Sequence, residues 1–214
     1  MRLFNTVKLI MTLVLLLTIA SCSNEPKYTY FENGKVSSEL NYKGDKLDGS
    51  SKYYFETGKL QSVYNYKDGK LDGKVTEYYF DGIIKEERFY EAGLQFSVSK
   101  KYYGNGSINA IYNYKSNKKH GNYTSYYADG RKRIEGEYFD GQFHGNWFYY
   151  DKYGRTVGEG KFDKGEGILT KLFSSGEKEH TVEYKNSEKN GKELFYDRKG
   201  NIIKELNFKD GIGI

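Results

Sequence analysis

The strongest constraint on the fold of this chain is a glycine that returns at a nearly fixed interval. It recurs every 24 residues, with one interval of 22, at Gly34, Gly58, Gly82, Gly106, Gly130, Gly154, Gly176 and Gly200. A fixed period of this length indicates a repeat architecture, in which each repeat is one supersecondary unit packed on its neighbours. We therefore predict a repeat domain over residues 28–214, built from about eight units.

Aromatic residues follow the same period. Eight residues after each glycine lies an aromatic side chain, at Tyr42, Tyr66, Tyr90, Tyr114, Tyr138, Phe162, Tyr184 and Phe208. Four residues before each glycine lies a tyrosine in every repeat but one, where Leu172 stands instead. Buried aromatics remove about 150–250 Å² each from water, so 23 Tyr and 13 Phe favour an ordered chain despite its low aliphatic content.

Each repeat has the pattern of two strands and two turns. Asn33-Gly34 stands between β-favouring residues, which predicts a hairpin with a type I′ turn. The strand that follows alternates apolar and polar residues, and the connection 67–73 carries two glycines that return the chain. The sequence predicts an all-β fold: an elongated single-sheet array of about eight β-hairpin repeats, after an N-terminal signal helix.

The first residues have the composition of an export signal. Arg2 and Lys8 precede an apolar stretch over residues 9–20, which is shorter than a membrane-spanning helix requires. The only cysteine, Cys22, closes this stretch, so the chain can form neither an intramolecular disulfide nor a cysteine-based zinc site. We predict a signal peptide over residues 1–22 and a short tether over 23–27.

The residues Ile19-Ala20-Ser21-Cys22 resemble the lipobox of bacterial lipoproteins. The resemblance implies that Cys22 is diacylated, becomes the new N-terminus and anchors the protein in a membrane of the bacterial cell envelope, outside the cytoplasm. Two or more acyl chains give stable anchoring. The alternatives are an ordinary secretion signal with an incidental cysteine, or a signal anchor.

A second resemblance concerns the repeats. Segments such as His120-Gly121-Asn122-Tyr123 and Tyr126-Tyr127-Ala128-Asp129-Gly130 look like the variant MORN repeat of bacterial exported proteins. It implies a run of β-hairpins in one twisted antiparallel sheet, with aromatics stacking between neighbours. Some members of that family are classed as antitoxins.

Two repeats depart from the pattern. Two residues are missing between Gly154 and Gly176, and we expect the deletion to lie in the return turn, with a bend or soft joint near residues 158–168. In the third repeat Ser97 stands where a glycine is expected, and Phe96 precedes it.

Candidate metal and catalytic residues follow the repeat as well. His120 and His144 occupy the same repeat position, two strands or roughly 10 Å apart, which is too far to share a zinc ion. The same turn position holds Asp48, Asp72 and Asn190. A row of glutamates recurs five residues after the glycine, and we expect it to pair with lysines on a solvated face: Glu39, Glu87, Glu135, Glu159 and Glu205.

These patterns favour a binding protein over an enzyme. The chain lacks the nucleophile, zinc-protease and phosphate-loop motifs, so we expect no catalysis, no cofactor and no metal. A net charge of only +5, dispersed lysines and the export signal argue against nucleic acid. We expect a membrane-anchored lipoprotein whose repeat sheet is a protein-interaction or scaffold surface. The alternatives are an antitoxin or immunity protein of a toxin pair, or a binder of glycans or phospholipid headgroups.

Overall fold

The computed structural model describes residues 25–214, and over that range the chain consists of strands and turns. The signal peptide and Cys22 lie outside the described residues. The strands are β1 (Lys27–Tyr30), β2 (Val36–Leu40), β3 (Tyr42–Lys43), β4 (Lys46–Leu47), β5 (Gly49–Tyr54), β6 (Leu60–Lys67), β7 (Lys70–Leu71), β8 (Gly73–Tyr78), β9 (Ile84–Glu91), β10 (Leu94–Tyr102), β11 (Ile108–Lys115), β12 (Lys118–Lys119), β13 (Gly121–Tyr126), β14 (Lys132–Phe139), β15 (Gln142–Tyr150), β16 (Thr156–Asp163), β17 (Glu166–Leu172), β18 (Lys178–Lys185), β19 (Glu188–Tyr196), β20 (Ile202–Lys209) and β21 (Ile212–Gly213).

The sheet is an antiparallel meander that follows the chain. In the described range, 19 strands form one sheet and β3 with β4 form a separate two-stranded ladder. Each repeat contributes an outgoing strand after its turn glycine and a return strand that leads to the next one. In three repeats the return strand is split in two, as β4 and β5, β7 and β8, or β12 and β13. The predicted all-β, single-sheet hairpin array is confirmed.

The turn at the repeat glycine is not the predicted type I′ turn. The amide of Gly34 donates to the carbonyl of Phe31 at 2.9 Å, and only Gly34 in this turn has a positive φ, at 78°. This is a three-residue loop in which a type I turn is followed by a left-handed residue. Asn33 stabilises the turn through its side-chain oxygen, which accepts a hydrogen bond from the amide of Lys35 at 3.0 Å.

The type I′ turn lies instead in the return connection. Lys67 pairs with Lys70, and the two residues between them, Asp68 and Gly69, have φ values of 49° and 82°. This turn is bonded to the preceding repeat, because the amide of Gly69 donates a hydrogen bond to the carbonyl of Leu47 at 2.8 Å. We call the side of the sheet formed by these turns the return-turn edge.

The two-residue deletion straightens a hairpin and leaves its turn intact. In the hairpin of β14 and β15 the register shifts by two residues between Glu135 and Glu137. The hairpin of β16 and β17 runs without any shift, and its turn keeps positive φ values at Lys164 and Gly165. The missing residues are therefore those of a bulge. The prediction that the deletion lies in the turn is wrong, because removing a bulge restores a continuous ladder. The bend or soft joint expected near residues 158–168 stays a prediction.

Alternation along the strands separates two faces. The face that we call the aromatic face carries the core, in which Ala110, Tyr123, Trp147 and Phe162 are buried. Further side chains pack against this core: Tyr112, Ile134, Tyr138, Phe143, Tyr149, Leu169 and Tyr184. Because the face has no covering layer among the described residues, aromatic rings shield one another over small residues of the neighbouring strands.

Candidate functional site

The opposite face, which we call the ionic face, carries the glutamate row. Glu39 forms an ion pair with Lys52 at 2.9 Å and accepts a hydrogen bond from the Tyr54 hydroxyl at 3.2 Å. The bond from Lys52, aided by that of Tyr54, holds the pKa of Glu39 below its usual value.

The same arrangement recurs along the row. Glu87 pairs with Lys74 and accepts from Tyr102, and Glu205 pairs with Lys192. Burial opposes the charge on Glu87, yet these two partners still lower its pKa. The expected lysine pairing is observed for Glu39, Glu87, Glu135 and Glu205. Glu159 forms no such ion pair with the described residues. The tyrosines four residues before the glycines add hydrogen bonds that the repeat pattern alone did not predict.

His120 and His144 lie at a position that joins successive return turns. This position falls ten residues before a turn glycine, and in five of seven cases its side chain bonds to the turn 20 residues further on. The carboxylate of Asp48 accepts a hydrogen bond from the amide of Asp68 at 3.1 Å, and that of Asp72 accepts one from the amide of Ala92 at 3.2 Å. His144 Nδ1 accepts the amide of Lys164 at 3.4 Å in the same way. We call this the staple position.

Phe96 breaks the rule of the staple position. The residues at the seven staple positions are Asp48, Asp72, Phe96, His120, His144, Glu166 and Asn190. Six of them are polar, and Phe96 is the exception. The neighbouring turn is joined instead by Asn117, whose side chain accepts the amide of Gln95 at 2.6 Å. Ser97 takes a φ of 63°, in the left-handed region that disfavours a serine.

Phe96 belongs to an exposed apolar patch at the return-turn edge of the ionic face. Leu94 is 47% exposed, Phe96 39% and Phe139 37%. The rings of His120 and His144 flank Phe139, with centroids 5.1 and 5.7 Å from its own. We call these five residues the edge patch. Neighbouring repeats bring its members to the same edge, at a step of roughly 10 Å per repeat.

A second feature is a cleft of about 360 Å³ in the second and third repeats. Its walls combine the rings of Tyr53 and Tyr64, 5.5 Å apart, with the polar side chains of Gln61 and Glu77. One oxygen of Glu77 binds Arg88, and the other lies 3.9 Å from Lys85. The cleft thus offers aromatic surface next to hydrogen-bonding groups.

The remaining predicted positions are distributed along the sheet. The eight turn glycines have φ values between 78° and 101°. The aromatics eight residues after them lie on the aromatic face, where Tyr138, Phe162 and Tyr184 contact the core. In residues 25–214, no three His, Cys, Asp or Glu side chains are grouped as metal ligands would be. The described residues contain no helix long and apolar enough to cross a bilayer.

The fold and its ladder of turns define a β-hairpin repeat protein. The MORN repeat variant family matches five stretches, residues 27–43, 47–68, 71–92, 119–140 and 189–210. Repeats of this family therefore occur at five places in the chain, as the sequence resemblance predicted. The unmatched stretches contain the Phe96 departure and the straightened hairpin.

Other comparisons add no functional argument. No curated protein matches the sequence. Among solved structures, a GtfA/B complex bound to UDP and GlcNAc is similar at 12% identity and a TM-score of 0.24, covering 61% of this chain and 26% of that one. The TcdB2-TccC3-Cdc42 structure is similar at 12% identity and a TM-score of 0.19, covering 88% and 13%. This chain thus spans only a minor part of either, and similarity this low carries no argument about either protein's activity.

Proposed function

We propose that this protein is a non-enzymatic, membrane-anchored lipoprotein that binds a protein partner through the edge patch. The observation that carries the proposal is Phe96: an exposed aromatic stands where the repeat otherwise uses a polar staple. Aromatic residues are enriched at the centre of protein interfaces, and contiguous exposed apolar surface marks interaction sites. At position 96 the repeat has a phenylalanine in place of a polar residue and so lacks the side-chain hydrogen bond of the staple position. Contact with a partner would account for this difference.

The path of the chain supports a partner at the membrane. Lys27, at the start of β1, pairs with Leu40, and its ammonium lies 4.5 Å from the ring centroid of Tyr42, beside the first return turn. The chain therefore enters the sheet at the return-turn edge, which also carries the edge patch. If lipidated Cys22 tethers this end, the patch lies on the side of the molecule that faces the anchor.

Replacing Phe96 tests the interaction at a position where other repeats carry a polar residue. Phe96→Asp restores the polar residue that Asp48 and Asp72 provide in other repeats, so we expect an unchanged fold. A photoreactive phenylalanine analogue in place of Phe139 should give a discrete cross-linked product in cells, and Phe96→Asp should abolish it.

The matched control is Phe80→Asp, since Phe80 is 55% exposed but lies at a hairpin turn away from the edge patch. This variant should leave the cross-linked product intact. A product that survives Phe96→Asp, or one lost equally with Phe80→Asp, would show that the edge patch is not the binding site.

The anchor has its own test. Cys22→Ser removes the proposed lipid attachment site, and we expect it to abolish metabolic labelling with palmitate and to release the protein from the membrane fraction. Labelling that persists in the variant would rule out lipidation at Cys22. The edge-patch experiment does not depend on this outcome.

The cleft supports glycan binding as a second candidate function. Aromatic rings beside amide and carboxylate groups suit a sugar, which presents both apolar faces and hydroxyls. Tyr64→Ala should weaken retention on immobilised envelope polysaccharide, whereas Tyr103→Ala, outside the cleft, should not. Equal retention of the unaltered chain and of both variants would exclude the cleft as the glycan-binding site.

A further inference from the structure

The junctions between successive repeats obey one register. In every junction the residue four after a turn glycine pairs with the residue five before the next. The seven pairs are Ser38–Tyr53, Ser62–Glu77, Glu86–Lys101, Ala110–Ser125, Ile134–Tyr149, Gly158–Lys171 and His180–Phe195. The rule holds for the straightened hairpin as well, so the junction is a property of the repeat and does not depend on local sequence.

Two strands present the two halves of such a junction without a partner. Among the described residues β1 pairs only with β2, and β20 pairs with β19 along its length but with β21 only at Phe208 and Lys209. β20 is an outgoing strand and β1 a return strand, which are the two types that meet in all seven junctions. Unpaired strand edges of this kind are templates for strand addition.

β21 already forms the first half of a split return strand. It holds the place that β4 and β7 hold in earlier repeats, and the amide of Ile214 donates to the carbonyl of Asn207 at 2.9 Å, as that of Asp72 does to Asn65. Within residues 25–214, no strand lies beside β20 in the place of the second half, which β5 or β8 holds in those repeats. β1 holds the matching position in the repeat and has four residues, against six in β5 and in β8.

Side chains at the two edges lack the partners that the repeat provides. On the ionic face, a glutamate five residues after a glycine accepts a hydrogen bond from the tyrosine that precedes the next glycine by four, as Glu87 does from Tyr102 at 2.8 Å. Glu205 and Tyr30 occupy these two positions at the free edges, and Tyr30 is 62% exposed. Each is the missing partner of the other.

A third complementarity involves the backbone. The Asn113 amide donates to the carbonyl of Asn122 at 2.7 Å across a junction, and Asn65 donates to Lys74 in the same way. Asn207 holds the corresponding position in β20. The carbonyl that it would meet in an eighth junction belongs to Pro26.

We infer that β20 of one copy pairs with β1 of a second copy, so that the repeat array continues from chain to chain. The register rule places Lys204 opposite Thr29 of the second copy, and Glu205 opposite its Tyr28. The contact is heterologous, because two different surfaces meet, and it therefore extends beyond dimers. The exposed side chains of Ile202 and Ile203 would lie at this junction.

Cysteine pairs in the full chain test the register. Residues directly opposite in an antiparallel pair have Cα atoms about 4.5–5.5 Å apart, within the range of a disulfide. Thr29→Cys with Lys204→Cys should give a ladder of covalent dimers and larger oligomers on a non-reducing gel after mild oxidation. Each single variant, and the unaltered chain with its Cys22, should lack the ladder.

A second cysteine pair keeps the test valid if the first double variant fails to fold. A third pair tests whether cross-linking depends on the register or only on two cysteines being near each other. Tyr28→Cys with Glu205→Cys lies in the same register on the ionic face and should cross-link as well. Tyr28→Cys with Lys204→Cys places the thiols on opposite faces and should not. Dimers from either single variant would indicate an isologous contact, and a covalently closed monomer would indicate that one chain joins its own edges. Either outcome, or no ladder from both in-register pairs, would overturn the proposal.

Discussion

Trp147 occupies the space in which a side chain at position 136 would lie. A Cβ atom on Gly136 would overlap the six-membered ring of the indole, and one on Gly160 would meet the ring of Phe162 at 2.5 Å. Neither glycine has a positive φ. Their role is therefore to leave room for rings on the aromatic face, in contrast to the turn glycines, whose role is conformational.

This difference predicts the outcome of a double-mutant cycle. Gly136→Ala alone should destabilise the protein by about 1–3 kcal/mol, because it overpacks the core against Trp147. Trp147→Ala should cost about 3–5 kcal/mol. In the Trp147→Ala background, Gly136→Ala should become neutral or stabilising, since alanine suits a strand better than glycine once the ring is gone. Urea unfolding of the four proteins measures the coupling, and additive costs would show that the ring does not depend on Gly136.

The sequence could place the aromatics in a repeat but could not assign these contacts. Periodicity predicts which positions recur, and it placed Tyr138 and Phe162 in strands. Which ring covers which glycine depends on the bulge between Glu135 and Glu137, where local pairing and not residue type decides the geometry. For the same reason Phe96 was visible as a departure, while its exposure and its place at the same edge of the sheet as Phe139 required the structure.

At the scale of the element, the hairpins are joined by tyrosines next to the turn glycines. Each such hydroxyl donates to a backbone carbonyl of the following repeat at 2.7–2.8 Å, in the pairs Tyr79–Tyr102, Tyr103–Tyr126 and Tyr127–Tyr150. The repeat pattern could not predict these bonds, because each accepting carbonyl lies 23 residues further along the chain. The turn types were also misassigned, since Asn-Gly and Asp-Gly are both compatible with type I′ and only loop length distinguishes them.

The tyrosine bond should be measurable in a single repeat. Tyr103→Phe removes the hydroxyl while keeping the ring, and we expect a loss of about 1 kcal/mol in the free energy of unfolding. Tyr153→Phe is the matched control, because Tyr153 is 68% exposed at the tip of a hairpin and its hydroxyl should contribute little. Equal stability of the two variants in urea would show that the hydrogen bond from Tyr103 stabilises the fold no more than water stabilises the same hydroxyl in the unfolded chain.

At the scale of the whole molecule, the tyrosine network makes stability depend on alkaline pH. Burial, together with a hydrogen bond to Glu87, raises the pKa of Tyr102 to about 12. Burial and the carboxylate of Glu135 do the same for Tyr150, and burial raises the pKa of Tyr149 to about 12 as well. Tyr102 lies in the fourth repeat, and Tyr149 and Tyr150 lie in the sixth. Their ionisation therefore acts at more than one place along the array.

The sign of this dependence follows from linkage. An unfolded tyrosine has a pKa of about 10, so a higher value in the folded protein means that folding favours the neutral phenol. The contribution is complete below about pH 10 and is lost as the pH rises towards 12. Because each repeat is stabilised mainly by its neighbours, loss of one junction weakens those beside it. We therefore expect far-ultraviolet circular dichroism to report unfolding in this window, together with the rise in tyrosinate absorbance. Complete tyrosine ionisation near pH 10 with the sheet intact would show that these hydroxyls are not held by the fold.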